Sequence, residues 1–161
     1  MIFFHDAVKS FAMRFLPAAR IVVLDADARH RESICAALGD LGLIQLLPAG
    51  TLPDAVAFVK ERMADLIVVD MHGFEDLAKE QGRRVLPNPL IGEGTPGILL
   101  SHDTSRALVH EAHAAGYRAV VALPVAPRLL YRRIGSILQK ARRSHRRNDA
   151  HGIDADPSPE N

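Results

Sequence analysis

A doubly wound α/β fold with a five-stranded parallel sheet is the class this sequence predicts, on three observations. Short apolar runs without alternation recur at residues 21–24, 43–47, 66–69, 97–100 and 119–122, as in strands buried on both faces. Segments of helical apolar spacing separate them, giving each strand pair the long crossover that parallel pairing requires. Asp25, Asp70 and Ser101 directly follow three of the runs, and open parallel sheets gather ligands outside the carboxyl ends of their strands. The expected order is 2-1-3-4-5, which sets Asp25 beside Asp70 at the switch point.

The elements follow in turn. Residues 1–19 form an amphipathic helix, with Ile2, Phe4, Val8, Phe11 and Phe15 at helical spacing and Asp6, Lys9, Ser10 and Arg14 between them. This segment is too short and too charged to span a membrane, and lacks the layout of a secretory signal. Its aromatic stripe fits packing on its own domain or self-association. After the first strand, Ile34, Ala37, Leu38 and Leu41 mark one face of a helix that stops at Gly42. The second strand is 43–47, and Pro53 opens a helix through Val56, Phe58, Val59 and Met63. A helix over 74–84 follows the third strand. Pro87, Pro89, Gly92, Gly94 and Pro96 make the next stretch a loop. The fourth strand leads to a helix over 105–115 closed by Gly116, then to the fifth strand and a last helix opened near Pro127. Residues 144–161, mostly polar, are expected to be a disordered tail.

With 161 residues, 48% of them apolar, the chain suits one compact domain over 20–143 flanked by these two segments. Formal net charge is only +1, so no overall field points to nucleic acid or membrane. Charge is uneven, however: Arg128, Arg132, Arg133, Lys140, Arg142, Arg143, Arg146 and Arg147 form a run without an acidic residue. A phosphate backbone would suit that run, as an alternative function in nucleic-acid binding. The favoured reading is a solvated helix end complementing its dipole. The single Cys35 makes no internal disulfide and fits a small buried hydrophobe in a reducing, cytoplasmic setting. No glycine-rich phosphate loop follows the first strand, which argues against a nucleotide-binding enzyme.

The segments 20–27, 65–70, 95–101 and 121–124 resemble the successive strand ends of response-regulator receiver domains, the CheY-like group with the flavodoxin-like fold, over about 20–143. The resemblance implies that Asp70 is the phosphoacceptor, fed by a histidine kinase or phosphotransfer protein, and that Ser101 contacts the phosphoryl group. It also implies Mg2+ held by Asp70 and a pair of acidic residues after the first strand. Spacing to Arg31 aligns that pair with Asp25 and Ala26, so half of it is missing. Asp27, one residue on, points elsewhere. Leu123 stands where the family has a lysine, and Val120 where it usually has an aromatic residue.

Two carboxylates about 5 Å apart repel by roughly 3 kcal/mol at an effective dielectric near 20, which receivers offset with a divalent ion and an ammonium. Lys9, Lys60, Lys79 and Lys140 are the only lysines, and none falls at a strand's carboxyl end. A guanidinium such as Arg106, from the start of the helix after the fourth strand, is a candidate to substitute, although its spacing does not require it. Mg2+ binding at Asp25 and Asp70 is therefore expected to be poor, and phosphorylation weak or absent. Asp70 also reads as a solvated turn carboxylate, and Ser101 or Asp103 as a helix cap. His72 and His102, each directly after a site position, suggest a second metal arrangement with Asp25 and Asp70. His110 and His113 read as a solvated face. The expected function is a stand-alone, non-enzymatic receiver-like signalling protein that works through protein contacts. Those contacts would use the face over 105–141 and homodimerisation there or through the first helix. A functional phosphoacceptor on Asp70 is the alternative within the family.

Overall fold

The computed structural model describes residues 16–62 and 64–151. After a short 3-10 turn at Leu16–Ala18 come β1 (Arg20–Leu24), α1 (Ala28–Asp40), β2 (Gln45–Ala49) and α2 (Leu52–Arg62). They are followed by β3 (Leu66–Asp70), α3 (Glu75–Glu80), β4 (Gly97–Ser101), α4 (Arg106–Ala114), β5 (Tyr117–Ala122) and α5 (Pro127–His151). The strands form one five-stranded sheet in the order β2-β1-β3-β4-β5, every pair parallel. Fold class and strand order are as expected.

Alternate residues of each central strand enter opposite layers, as the pleat requires. Val22, Leu24, Ile67, Val69 and Leu99 pack with Ala55, Phe74, Ala78, Leu108 and Ala112, under α2, α3 and α4. Ile21, Val23, Leu66, Val68, Ile98 and Leu100 pack with Ile34, Leu38, Leu130 and Ile134, under α1 and α5. Covered on both sides, β3 and β4 are buried along their whole length, which accounts for their unbroken apolar runs.

Several expected boundaries move. The second strand lies at Gln45–Ala49, two residues later than 43–47, because Leu43 still closes α1: its N–H donates to Leu38 O across Gly42, whose φ is +116°. Pro48 is tolerated in β2 because that strand is the sheet edge. The helix expected over 74–84 is only Glu75–Glu80, closed where Arg83 N–H returns to Ala78 O. At the far end α5 runs to His151, so residues 144–151 are helical where a disordered tail was expected; residues 152–161 lie outside the described residues. The amphipathic helix expected over 1–19 falls almost wholly outside them too. Among the described residues, no helix is long and apolar enough to cross a membrane.

Candidate functional site

Asp25 and Asp70 meet at the carboxyl edge of the sheet. Leu24 is in register with Val69, so the residue after β1 faces the last residue of β3. Both side chains are withdrawn from solvent, Asp25 at 0% and Asp70 at 2% exposure. One oxygen of each carboxylate is engaged by its own loop: Asp25 Oδ1 accepts from Asp27 N–H at 2.9 Å, and Asp70 Oδ1 from His72 N–H at 2.8 Å. Such bonds to the backbone two residues on are the usual way an aspartate closes a turn. They also orient each remaining oxygen toward the other chain end.

His30 stands between those two oxygens. Its Nδ1 lies 2.5 Å from Asp25 Oδ2 and 2.8 Å from Asp70 Oδ2. Asp27 places it there. That side chain caps α1, Oδ1 accepting from Arg29 N–H and His30 N–H, so His30 sits in the first turn. Helical side chains lean toward the N-terminus, which carries the imidazole back over the strand ends. Arg31 secures the same corner from behind: its guanidinium donates to Asp25 O at 2.6 Å and fills the space where Gly50 lacks a Cβ.

Asp70 and His30 each feel the other's charge. Burial pushes the Asp70 carboxyl up to about 6, with the charge on Asp25 adding, while the His72 N–H and His30 pull it down. His30 loses basicity through partial burial. Its hydrogen bond to Asp25 and the charges of Asp25, Asp70 and Asp27 outweigh that, so its net shift is upward. The upward shift favours the imidazolium form of His30 beside the two carboxylates. Arg106 is exposed on α4 and is not among the groups acting on Asp70.

Other expected site residues have other occupations. Ser101 is buried at the end of β4, beside β3, but its hydroxyl accepts from Asp103 N–H at 3.1 Å. The cap of α4 is neither Ser101 nor Asp103 but Ser105, which accepts from Leu108 N–H. Asp27 does not join the carboxylate pair, since its side chain is occupied as a helix cap. The Ala26 methyl faces the loop after β3, 2.7 Å from where a Cβ on Gly73 would stand. Leu123 is half-buried against the core under α1 and α5 and brings no charge to the pocket. His72 and His102 are exposed and meet edge to face at 6.2 Å between ring centres, outside the Asp25–His30–Asp70 group. The arrangement expected of them with the two aspartates is not formed. His110 and His113 are exposed on α4. The sequence carried one signal for His30, an aspartate cap three residues before a histidine directly after a strand.

Mg2+ is the ion expected at this place, and the residues present do not fit it. It asks for near-octahedral oxygen ligands at about 2.0–2.1 Å. Here a nitrogen lies between the two carboxylate oxygens, and position 26 offers a methyl group instead of a third carboxylate.

No family model matches the chain, and no curated protein does. Solved structures do. The chain is similar to a CheY-like response regulator receiver domain protein from Methanospirillum hungatei JF-1, at 22% identity over 78% of this chain and 98% of that one, with a TM-score of 0.60. A putative pilus assembly-related protein from Burkholderia pseudomallei K96243 is 20% identical over 78% of this chain and 92% of that one, with a TM-score of 0.58. Chemotaxis protein CheY4 of Vibrio cholerae is 22% identical over 72% of this chain and 95% of its own, with a TM-score of 0.57. The chain has the fold of response-regulator receiver domains.

Proposed function

We propose that this receiver-fold chain carries signals by docking other proteins, with phosphoryl transfer to Asp70 weak or absent. The observation behind this reading is the His30 imidazole held between Asp25 and Asp70. Phosphoryl transfer relies on a divalent ion to neutralise charge that develops on the transferred group, and on preorganised donors around it. An imidazole hydrogen-bonded to Asp25 and within ion-pair distance of Asp70 competes with such an ion. It also engages the Asp70 oxygen that would attack phosphorus. With Leu123 aliphatic, no ammonium waits for the product either. On this reading the protein is not an enzyme and works in the cytoplasm.

The docking surface is the face over residues 105–141, built by α4, β5 and α5. Its exposed charges are Arg106, Arg118, Arg128, Arg132, Arg133 and Lys140; its one acidic residue, Glu111, is half-buried and accepts from Arg84 N–H at 2.9 Å. A surface of one sign steers a partner of the other, so the protein partner presents acidic groups there. A histidine kinase, a phosphotransfer protein or a downstream signalling protein would serve, and a second copy of the chain is the other partner of this reading. The similarity to a pilus assembly-related protein fits a receiver fold used for assembly contacts.

Adding Mg2+ with beryllofluoride, a phosphoryl mimic, and recording amide shifts tests the reading. Little change around Asp70 is expected. Saturable shifts centred on Asp70 and spreading to Ser101 would overturn it in favour of a working phosphoacceptor.

A further inference from the structure

We propose that Asp25, His30 and Asp70 form a binding site for a divalent transition-metal ion of the zinc class. The inference uses the pocket of the proposed function but does not depend on the docking reading, since metal occupancy and protein contact are separate properties.

Three features of the geometry carry it. First, the ligand atoms of the three side chains all lie within 4.8 Å of one another, and this is the one such His/Cys/Asp/Glu group found among the described residues. Second, the carboxylates are already oriented: the Asp27 and His72 N–H groups each hold one oxygen, which leaves Oδ2 of Asp25 and of Asp70 aimed at one point. Outer hydrogen bonds of this kind fix ligand direction at metal sites and raise affinity. Third, the aspartates are closed off at 1% and 3% side-chain exposure while the imidazole is at 33%, so the open side of the cluster is the histidine side, where water completes the coordination.

Donor chemistry selects the ion. Imidazole nitrogen suits zinc, cobalt and nickel, whereas carboxylates and water suit magnesium. Zinc takes nitrogen at about 2.0–2.1 Å and carboxylate oxygen at about 2.0–2.2 Å, so neighbouring ligand atoms around a tetrahedral ion stand about 3.3 Å apart. The present separations are 2.5 and 2.8 Å, so the ring need retreat by less than about 1 Å, toward its open side. As the ion enters, the Nδ1–H bond breaks, its electron pair becomes the nitrogen–metal bond, and the proton leaves to water. No oxidation state changes.

The test is titration of the full chain with Co2+, whose visible bands report nitrogen and oxygen ligands, and with Zn2+ as its competitor. A 1:1 complex is expected, displaced by Zn2+ but not by a roughly hundredfold excess of Mg2+. His30→Asn should weaken it by about 10- to 100-fold, as loss of a ligand or its support does, with His72→Ala and His102→Ala unchanged. Imidazole nitrogen shifts in the unsubstituted chain give the same answer without a variant: Nδ1 of His30 should move on Zn2+ addition and those of His72 and His102 should not. No 1:1 complex, equal competition by Mg2+, or binding that follows His72 and His102 would overturn the proposal. A beryllofluoride response at Asp70 would instead strike the docking reading, so the two failures are distinguishable.

Discussion

His30 Nδ1 lies 2.8 Å from Asp70 Oδ2, so the residue expected to accept a phosphoryl group is already paired with an internal imidazole. The pairing makes stability depend on pH in a direction that exposed aspartates alone would not give. His30 titrates higher in the folded chain than in the unfolded one, so its contribution is complete below about 6.5 and lost as pH rises through the raised folded value. Asp70 is pushed up to about 6, so between the ordinary aspartate range and 6 the folded chain holds a proton that the unfolded chain releases. Both contributions make folding less favourable from pH 4 toward pH 8. Urea unfolding with a chelator present should show a decline on the order of 1 to 3 kcal/mol between pH 5 and pH 8, shrinking in Asp70→Asn. A midpoint that rises over that range, or a decline unchanged in the variant, would contradict the pairing.

Asp27→Ala should both loosen α1 and displace His30. The side chain accepts from Arg29 and His30 N–H, and those bonds hold its carboxyl below the usual aspartate range. The urea midpoint should fall, and Asp27→Ser, which caps equally well, should restore it. Because the cap sets the imidazole's position, the His30 ring shifts should move in the alanine variant and return in the serine one. Ring shifts indifferent to both substitutions would detach the cap from the cluster.

Asn88→Ala should cost about 2–4 kcal/mol, although the residue lies in the long connection between α3 and β4. It is 1% exposed and makes three side-chain bonds: Nδ2 donates to Thr95 O and Gly116 O, and Oδ1 accepts from Leu90 N–H. Removing the amide leaves those backbone groups unpaired, and urea unfolding reads the loss. A cost below about 1 kcal/mol would mean that water replaces the side chain.

The sheet was legible because a strand covered on both faces must be apolar throughout, and the runs ending at Asp25, Asp70 and Ser101 are. Adjacency of Asp25 and Asp70 followed from strand order alone. Elements less tied to the core were read less well. α3 stops early because its chain turns back at Gly82 (φ +68°), and α5 outlasts its apolar stripe because strongly helix-forming arginines continue it. His30 escaped notice for a different reason: whether a residue in a first helical turn reaches the sheet edge depends on how the helix is seated, which Ile34 and Leu38 decide through packing. A lysine is the cation the receiver resemblance implies here, whereas the pocket holds an imidazole.

If the missing ligands and the intruding imidazole together account for the poor fit to Mg2+, returning them should restore it. Ala26→Asp adds a carboxylate beside Asp25, on a side chain that faces the loop after β3. His30→Asn replaces the basic imidazole between the carboxylate oxygens with a neutral amide. Leu123→Lys keeps an apolar stem against the core while its ammonium reaches out, which long basic side chains readily do. The triple variant carries more unpaired negative charge than the parent, so in chelator it should unfold at lower urea. Saturating Mg2+ should raise that midpoint, because an ion that binds only the folded chain stabilises it by mass action, while the parent midpoint stays where it was. Beryllofluoride shifts at Asp70 should then appear in the variant alone. A triple variant as indifferent to Mg2+ as the parent would mean that the strand ends themselves, and not residues 26, 30 and 123, exclude the ion.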